Sequence, residues 1–161
     1  VQPLGANIIG VNKKGKSVDG CSKIITINKL DSVLPKADIL YLALPETSET
    51  INLIDKRRFD LLKPSCGIVN IGRQSVLDYE VLCEKLNKKE IAGAILDVFM
   101  PEPIESSSKL WHTPNLIITP HVSSDDNGNY VKMTLDLFVK NLKLFIENKE
   151  LMNQIDKNLG Y

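Results

Sequence analysis

The sequence predicts an α/β protein built on a doubly wound parallel sheet, and three observations support this fold class. Apolar segments alternate with stretches of helical spacing, as strand–helix–strand units require. The apolar segments contain few polar residues, which is typical of strands in a parallel sheet that helices cover on both faces. The length of 161 residues, with 43% hydrophobic and 25% charged residues, suits one packed domain.

Five short segments have the composition of strands, and proline or glycine lies within or beside most of them. They lie at residues 7–11, 38–44, 67–72, 92–99 and 115–119. Helical spacing is present at residues 30–37, at 55–62, after 78, and from 129 to about 148. Asp78 can cap the third of these helices, and Pro64 ends the second.

Charge and cysteine content argue against several classes of protein. The formal net charge is zero, which gives no electrostatic reason to expect a nucleic acid or membrane partner. No apolar run reaches the roughly 18–20 residues of a membrane-spanning helix, and no signal peptide is visible. The three cysteines lack CxxC spacing and fit free thiols in a reducing compartment better than a disulfide framework or a zinc site. We therefore expect a cytoplasmic protein without a metal site.

Three residues that could carry chemistry, Arg73, Glu102 and His121, each follow one of the last three predicted strands. Parallel strands bring their carboxyl ends to one edge of the sheet, where such sheets bind ligands. Taken singly, each residue has an ordinary explanation as a surface arginine, a solvated loop acid or a loop histidine. Their placement at consecutive strand ends favours a shared crevice.

The segments around these three residues resemble a known family. The motifs Asn70-Ile71-Gly72-Arg73, Gly93-Ala94-Ile95-Leu96-Asp97-Val98-Phe99, Glu102-Pro103 and Thr119-Pro120-His121 are similar in order and spacing to signatures of the D-isomer-specific 2-hydroxyacid dehydrogenases. The resemblance covers nearly the whole chain, and residues 121–161 look most like the glyoxylate/hydroxypyruvate reductase branch. It implies an oxidoreductase that transfers a hydride between NADPH or NADH and a small 2-oxoacid such as glyoxylate or hydroxypyruvate. It also implies a homodimer at full length.

The resemblance assigns roles to the three strand-end residues. Arg73 would bind the substrate carboxylate and carbonyl, a task that suits the permanently charged, planar guanidinium. His121 would be the general acid in reduction and the base in oxidation. Glu102 would hydrogen-bond to His121, orient its ring and favour its protonated form.

The same resemblance implies a set of residues that contact the cofactor. Asp97 would lie near the nicotinamide, although a strand-end acid that caps a turn is an alternative interpretation. Backbone and apolar contacts to the cofactor are expected from residues at the predicted strand ends, which could also be plain packing residues: Leu44, Pro45, Ile71 and Gly72. Further contacts are expected from residues in the loops after the third and the fifth predicted strands: Arg73, His121, Ser123 and Ser124.

The chain departs from the family pattern in three ways. The GxGxxG fingerprint is absent, so we expect the family's first strand, its phosphate-binding turn and part of the substrate domain to precede Val1. Gln74 stands where the family usually has a glycine after the arginine. Asn12, followed by Lys13 and Lys14, replaces the acid that holds the ribose 2′-hydroxyl in NAD-selective relatives. This change favours NADP over NAD, although an exposed basic turn explains it equally well.

We expect residues 1–128 to form most of the dinucleotide-binding domain. Residues 129–161 would form a C-terminal helix and tail that pack towards the substrate domain. Two other functions stay open beside the reductase. One is a nucleotide-sensing scaffold, since corepressors of the C-terminal-binding-protein type share this fold and the Arg–Glu–His trio. The other is an inactive fragment of the enzyme, which a cofactor titration would distinguish.

Overall fold

The computed structural model describes residues 5–126 and 128–157, in which six parallel strands form two sheets. The smaller sheet pairs β1 (Ile9–Val11) with β2 (Lys23–Ile25). The larger sheet has the order β3-β4-β5-β6, with bounds Ile39–Leu42, Gly67–Asn70, Gly93–Leu96 and Leu116–Ile118. All of its neighbouring strands are parallel, so the predicted α/β class with a parallel sheet is confirmed.

Three α-helices lie between or after these strands within the described residues. They are α1 (Lys56–Phe59), α2 (Tyr79–Asn87) and α3 (Tyr130–Ile146). Asp78 caps α2 as predicted, because its carboxylate accepts the backbone N–H groups of Glu80 and Val81. In the part of the chain that the structure describes, four short 3-10 helices complete the connections, at Ile27–Ser32, Leu34–Lys36, Gln74–Val76 and Lys109–His112.

The secondary structure differs from the prediction at two places. Strand β2 was not predicted, because its three residues follow a polar stretch and do not form an apolar run. The short amphipathic turn or helix predicted at residues 30–37 is two consecutive 3-10 helices, of which the first starts earlier, at Ile27. Leu30 and Leu34 are buried there, as an amphipathic segment requires.

The hydrophobic core lies on one face of the larger sheet. Alternate strand residues such as Ile68 and Leu96 point into it and meet Leu82 and Leu86 of α2, all at most 1% exposed. The opposite face is open: Ile39, Tyr41 and Ile117 are more than half exposed. The expectation that the strands are buried on both faces is therefore wrong for the open face of the larger sheet. Helices α1 and α2 supply apolar residues to the core face alone.

Helix α3 contributes no buried residue to the core. Several of its apolar side chains, among them Met133, Phe138 and Phe145, are more than half exposed. Its packing towards a substrate domain stays a prediction. No helix in the described part of the chain is both long enough and apolar enough to cross a bilayer.

The difference in burial between α2 and α3 can be tested by comparing the stability of two matched variants. Leu86→Ala in α2 should lower the free energy of unfolding by about 3 kcal/mol, because it leaves a cavity in the core. Leu135→Ala in α3 removes the same atoms from a side chain that is 57% exposed, so we expect a change within about 0.5 kcal/mol. Urea denaturation of both variants tests this. Equal losses of unfolding free energy in the two variants would contradict a core that includes α2 and excludes α3.

Candidate active site

The candidate site lies at the carboxyl edge of the larger sheet, where parallel pairing continues one residue past each strand. The N–H of Ile71 donates to Leu42 O at 3.0 Å, that of Asp97 to Asn70 O at 3.0 Å, and that of Thr119 to Leu96 O at 3.0 Å. The three loops that follow β4, β5 and β6 therefore leave the sheet side by side. They carry Arg73, Glu102 and His121 in turn.

Glu102 and His121 form a hydrogen-bonded pair. Glu102 Oε2 lies 2.9 Å from His121 Nδ1, which confirms the predicted contact. Glu102 Oε1 accepts the backbone N–H of Phe99 at 2.8 Å, so both of its oxygens have a partner. The hydrogen bond with His121, aided by that of Phe99, holds the pKa of Glu102 below its ordinary value. Glu102 therefore stays ionised at neutral pH.

His121 adopts an unusual backbone conformation. Its φ is +58°, in the left-handed region that residues other than glycine rarely occupy. Its N–H donates to Thr119 O at 3.0 Å, which closes a tight turn across Pro120. Such a conformation needs support from its surroundings, and this support comes from Asp97.

Asp97 is 1% exposed and binds the loop that carries His121. Its Oδ1 accepts the N–H of Val122 at 2.9 Å and the hydroxyl of Thr119, and its Oδ2 accepts the N–H of Ser123 at 3.0 Å. Burial opposes the negative charge, but these hydrogen bonds outweigh it and lower the pKa of Asp97 to about 2. The residues on both sides of His121 are thus fixed by one carboxylate. A direct contact between Asp97 and the cofactor stays a prediction.

Arg73 lies on the first turn after β4 and is exposed. Its Nη1 donates to the carbonyl of Gly72 at 2.7 Å, which folds the side chain back over its own turn. Within residues 5–126 and 128–157, no carboxylate forms an ion pair with the guanidinium. The positive charge is therefore available to an anionic ligand.

Arg73, Glu102 and His121 line one cavity of about 280 Å³. The geometric prediction that the three residues open into one cleft is confirmed. Glu46, Gln74, Ser75 and Val98 are among the other residues that line it. Ser75 Oγ donates to Glu46 Oε2 at 2.6 Å, so the acid brought by the loop after β3 is tied to the loop after β4.

The turn before Arg73 requires glycine at position 72, because the backbone of Leu44 lies very close to it. A Cβ atom at this position would lie 2.6 Å from the carbonyl oxygen and 2.7 Å from the nitrogen of Leu44. The backbones of the loops after β3 and β4 therefore touch, and Leu44, Pro45, Ile71 and Gly72 lie together at the edge of the sheet. This places four of the predicted cofactor-contacting residues on one surface. Ser123 and Ser124 are exposed in the loop after β6, beside His121.

The predicted nucleotide-selecting residues lie apart from the catalytic trio, at the carboxyl end of β1. Asn12 exchanges two hydrogen bonds with the backbone of Lys16, at 2.9 and 3.2 Å, and so shapes the turn that carries the lysines. Lys13 forms an ion pair with Glu49 at 2.9 Å, and Lys14 is exposed. Glu49 offsets the charge of Lys13, so Lys14 and the amide of Asn12 are the groups of this turn that bear on the predicted preference for a ribose 2′-phosphate.

Two residues in the site have structural roles that the sequence did not reveal, Asn70 and Tyr79. Asn70 is fully buried, accepts the N–H of Gly72 at 3.1 Å and donates to Arg73 O at 3.1 Å. Tyr79 donates to Val98 O at 2.7 Å. A polar side chain at the end of an otherwise apolar strand is the signal that could have identified Asn70. No comparable signal marks Tyr79.

The comparisons with known proteins agree with this geometry. Residues 1–123 match the family described as D-isomer specific 2-hydroxyacid dehydrogenase, NAD binding domain. The glyoxylate/hydroxypyruvate reductase B of Pectobacterium carotovorum is 43% identical over 95 residues, which are 59% of this chain and 30% of that protein.

Two solved structures share the fold over almost the entire chain. A D-isomer specific 2-hydroxyacid dehydrogenase from Xanthobacter autotrophicus, in complex with NADPH and MES, has a TM-score of 0.90 at 28% identity, over 98% of this chain and 64% of that one. An NADPH-dependent glyoxylate/hydroxypyruvate reductase from Sinorhizobium meliloti, in complex with NADP and sulfate, has a TM-score of 0.90 at 26% identity, over 99% of this chain and 51% of that one.

The chain belongs to the D-isomer specific 2-hydroxyacid dehydrogenase family and corresponds to its NAD-binding domain. It spans less than two thirds of the length of each of the three proteins named above.

The supporting role of Asp97 predicts a specific dependence of stability on pH. Its pKa of about 2 lies below the ordinary 3.8, so the ionised group stabilises the fold above pH 3.8 and that contribution is lost as the pH falls towards 2. Asp97→Asn should therefore cost about 2 kcal/mol at pH 7 and flatten the loss of stability between about pH 4 and 2. Urea midpoints measured at several pH values test this.

Asp125→Asn is the matched control for Asp97→Asn, since it changes an exposed acid close by in the same loop. We expect its stability curve to follow that of the unaltered chain. An Asp97→Asn curve that is parallel to the unaltered curve throughout would contradict the role of the ionised carboxylate.

Proposed function

We propose that this chain supplies the cofactor-binding domain and the catalytic trio of an NAD(P)H-dependent reductase of small 2-oxoacids. The observation that carries the proposal is the hydrogen-bonded pair of Glu102 and His121 in the same cavity as Arg73. A proton donor and a permanent cation that share a small cavity suit a substrate that carries a carbonyl next to a carboxylate.

Arg73 would bind the substrate. Its guanidinium has no acidic partner among the described residues and presents several N–H donors in one plane. Two of them can bind the carboxylate in a forked arrangement and hold the adjacent carbonyl oxygen towards His121. Together with the position of the bound cofactor, this orientation would determine which face of the carbonyl is reduced.

His121 would transfer the proton. Because Nδ1 lies against Glu102, the ring nitrogen left for the substrate is Nε2. In the imidazolium form Nε2 carries a proton and can donate it to the carbonyl oxygen as the alcohol forms. In the neutral form, with Nδ1–H donating to Glu102, Nε2 is bare and can accept the alcohol proton in the reverse direction. A bound NAD(P)H supplies the hydride, and this chemistry belongs to the cofactor.

Glyoxylate or hydroxypyruvate is the proposed substrate, and NADPH the proposed cofactor. Relatives and structural neighbours with the names glyoxylate/hydroxypyruvate reductase and NADPH-dependent glyoxylate/hydroxypyruvate reductase support the substrate class. The cavity of about 280 Å³ suits a molecule of that size. Lys13 and Lys14, with Asn12 in place of an acid, support NADPH. A homodimer and a cytoplasmic location stay predictions.

Substitutions in the trio test the proposed function in the full-length protein. Arg73→Lys keeps the charge but loses the planar fork, so kcat/KM for glyoxylate should fall by about a hundredfold, a larger loss than any change in the Kd for NADPH. His121→Gln should lower kcat by about 10²–10⁴-fold, because it removes the proton donor. Steady-state kinetics and a fluorescence titration of NADPH measure both. A His121→Gln enzyme with unaltered kcat would exclude the proposed proton transfer.

Cofactor selection is tested at the turn after β1. Lys14→Ala should reduce kcat/KM for NADPH by about three- to tenfold and leave that for NADH nearly unchanged, since an exposed lysine is partly screened by salt. Lys29→Ala is the control, because Lys29 lies in the 3-10 helix Ile27–Ser32 outside this turn. A full-length protein that prefers NADH would refute the proposed cofactor.

A further inference from the structure

A buried hydrogen-bond network connects the Arg73 turn to the Glu102–His121 pair. Tyr79, the first residue of α2, is its central member and is 8% exposed. Its hydroxyl donates to Val98 O at 2.7 Å and accepts from Asn70 Nδ2 at 3.3 Å. Burial raises the pKa of Tyr79 well above its ordinary value. The hydroxyl therefore keeps its proton and remains a donor at neutral pH.

The bond from Tyr79 ends on the peptide group that holds Glu102. Val98 O and the N–H of Phe99 belong to one planar unit, so the orientation of the carbonyl fixes that of the N–H. That N–H donates to Glu102 Oε1 at 2.8 Å. A single rigid peptide thus has Tyr79 on one side and Glu102 on the other. The Tyr79 ring also packs edge-on against the ring of Phe99, with centroids 6.2 Å apart at 78°.

The other side of the network reaches Arg73. Asn70 Nδ2 bonds both to Tyr79 and to Arg73 O, at 3.3 and 3.1 Å, while its Oδ1 accepts the N–H of Gly72. Asn70 is fully buried, so none of these bonds has water as a ready replacement. The turn that presents Arg73 and the peptide that presents Glu102 are therefore fixed through the same phenol group.

We propose that Tyr79 is a positioning residue, which aligns Glu102, and through it His121, with Arg73 by holding the Val98–Phe99 peptide. The consequence for catalysis rests on the proposed reductase function, whereas the effect on Glu102 does not. In this role the ring of Tyr79 is ordinary core packing, and only the hydroxyl carries the function. The proposal therefore separates the two parts of one side chain.

Tyr79→Phe is the test, because it removes the hydroxyl and keeps the ring. Without its carbonyl partner the Val98–Phe99 peptide can rotate, and its N–H bond to Glu102 weakens. The hydrogen bond with His121 lowers the pKa of Glu102 most, and the N–H bond of Phe99 lowers it next. Burial and the negative charge of Asp97 oppose both. The pKa of Glu102 should therefore rise towards its ordinary value.

The measurement is a titration of ¹³C-labelled glutamate carboxyls by NMR, in which Glu102→Gln identifies the Glu102 signal by its loss. Tyr41→Phe is the matched control, since it removes a phenol hydroxyl from a tyrosine that is 59% exposed on the open face of the sheet. The control should leave the Glu102 titration unchanged. An unchanged titration in folded Tyr79→Phe overturns the proposal, whatever the chain catalyses.

Kinetics of the full-length protein supply the second part of the test. Tyr79→Phe should lower kcat/KM for glyoxylate by about tenfold and leave the Kd for NADPH unaltered, since small misalignments are costly for catalysis. In a Glu102→Gln background the same substitution should cost less than about twofold, because its route through Glu102 is already absent. Equal losses in both backgrounds would show that Tyr79 acts otherwise and would overturn the proposal. A shifted Glu102 titration in a protein without reductase activity would refute the proposed function and retain the role of Tyr79.

Discussion

The parallel pairing of β4 with β5 and of β5 with β6 is the constraint on which the candidate site depends. Each pairing extends one residue beyond the strand, so the three following loops start from one line at the edge of the sheet. Residues that are 48 positions apart in sequence, from Arg73 to His121, can therefore line the same small cavity. A shift of register in any strand would move one member of the trio and separate it from the others.

Two buried polar groups convert this coarse alignment into a defined geometry. Asp97 binds the residues around His121 and so supports the left-handed conformation of that residue. Asn70 likewise binds the backbone of the turn at Gly72 and Arg73. Both lie at the carboxyl ends of core strands and are at most 1% exposed. Polar groups that are buried and fully hydrogen-bonded make a site rigid, because any rearrangement would leave one of them without a partner.

The fold class and the trio could be predicted because they depend on local patterns. Continuous apolar runs mark the strands, and the residues just after them mark the edge at which ligands bind. Strand β2 could not be found in this way, because Lys23–Ile25 begins with a charged residue after a polar stretch and is recognised only by its pairing with β1. The open face of the sheet was also missed. Apolar composition shows that a strand can be buried on both sides, but not which helices are present to bury it.

The roles of Asp97 and Tyr79 depend on contacts that local sequence does not encode. Asp97 bonds to residues 22 to 26 positions away, and Tyr79 bonds to a carbonyl 19 positions away. A spacing rule for helices or strands covers only a few residues, so it cannot reveal such pairs. The sequence predicted the groups that are proposed to touch substrate, and the structure added the groups that hold them in place.

The open apolar face of the larger sheet has a practical consequence for work with this chain alone. Ile39, Tyr41 and Ile117 present a broad apolar surface, and α3 adds a second one. The sequence pI is about 6.9, so near neutral pH there is almost no net charge to keep two such surfaces apart. Colloidal stability should therefore be poorest in the buffers that are usual for dehydrogenase assays. Low measured activity in such a buffer could then result from aggregation of the protein as readily as from a lack of catalysis.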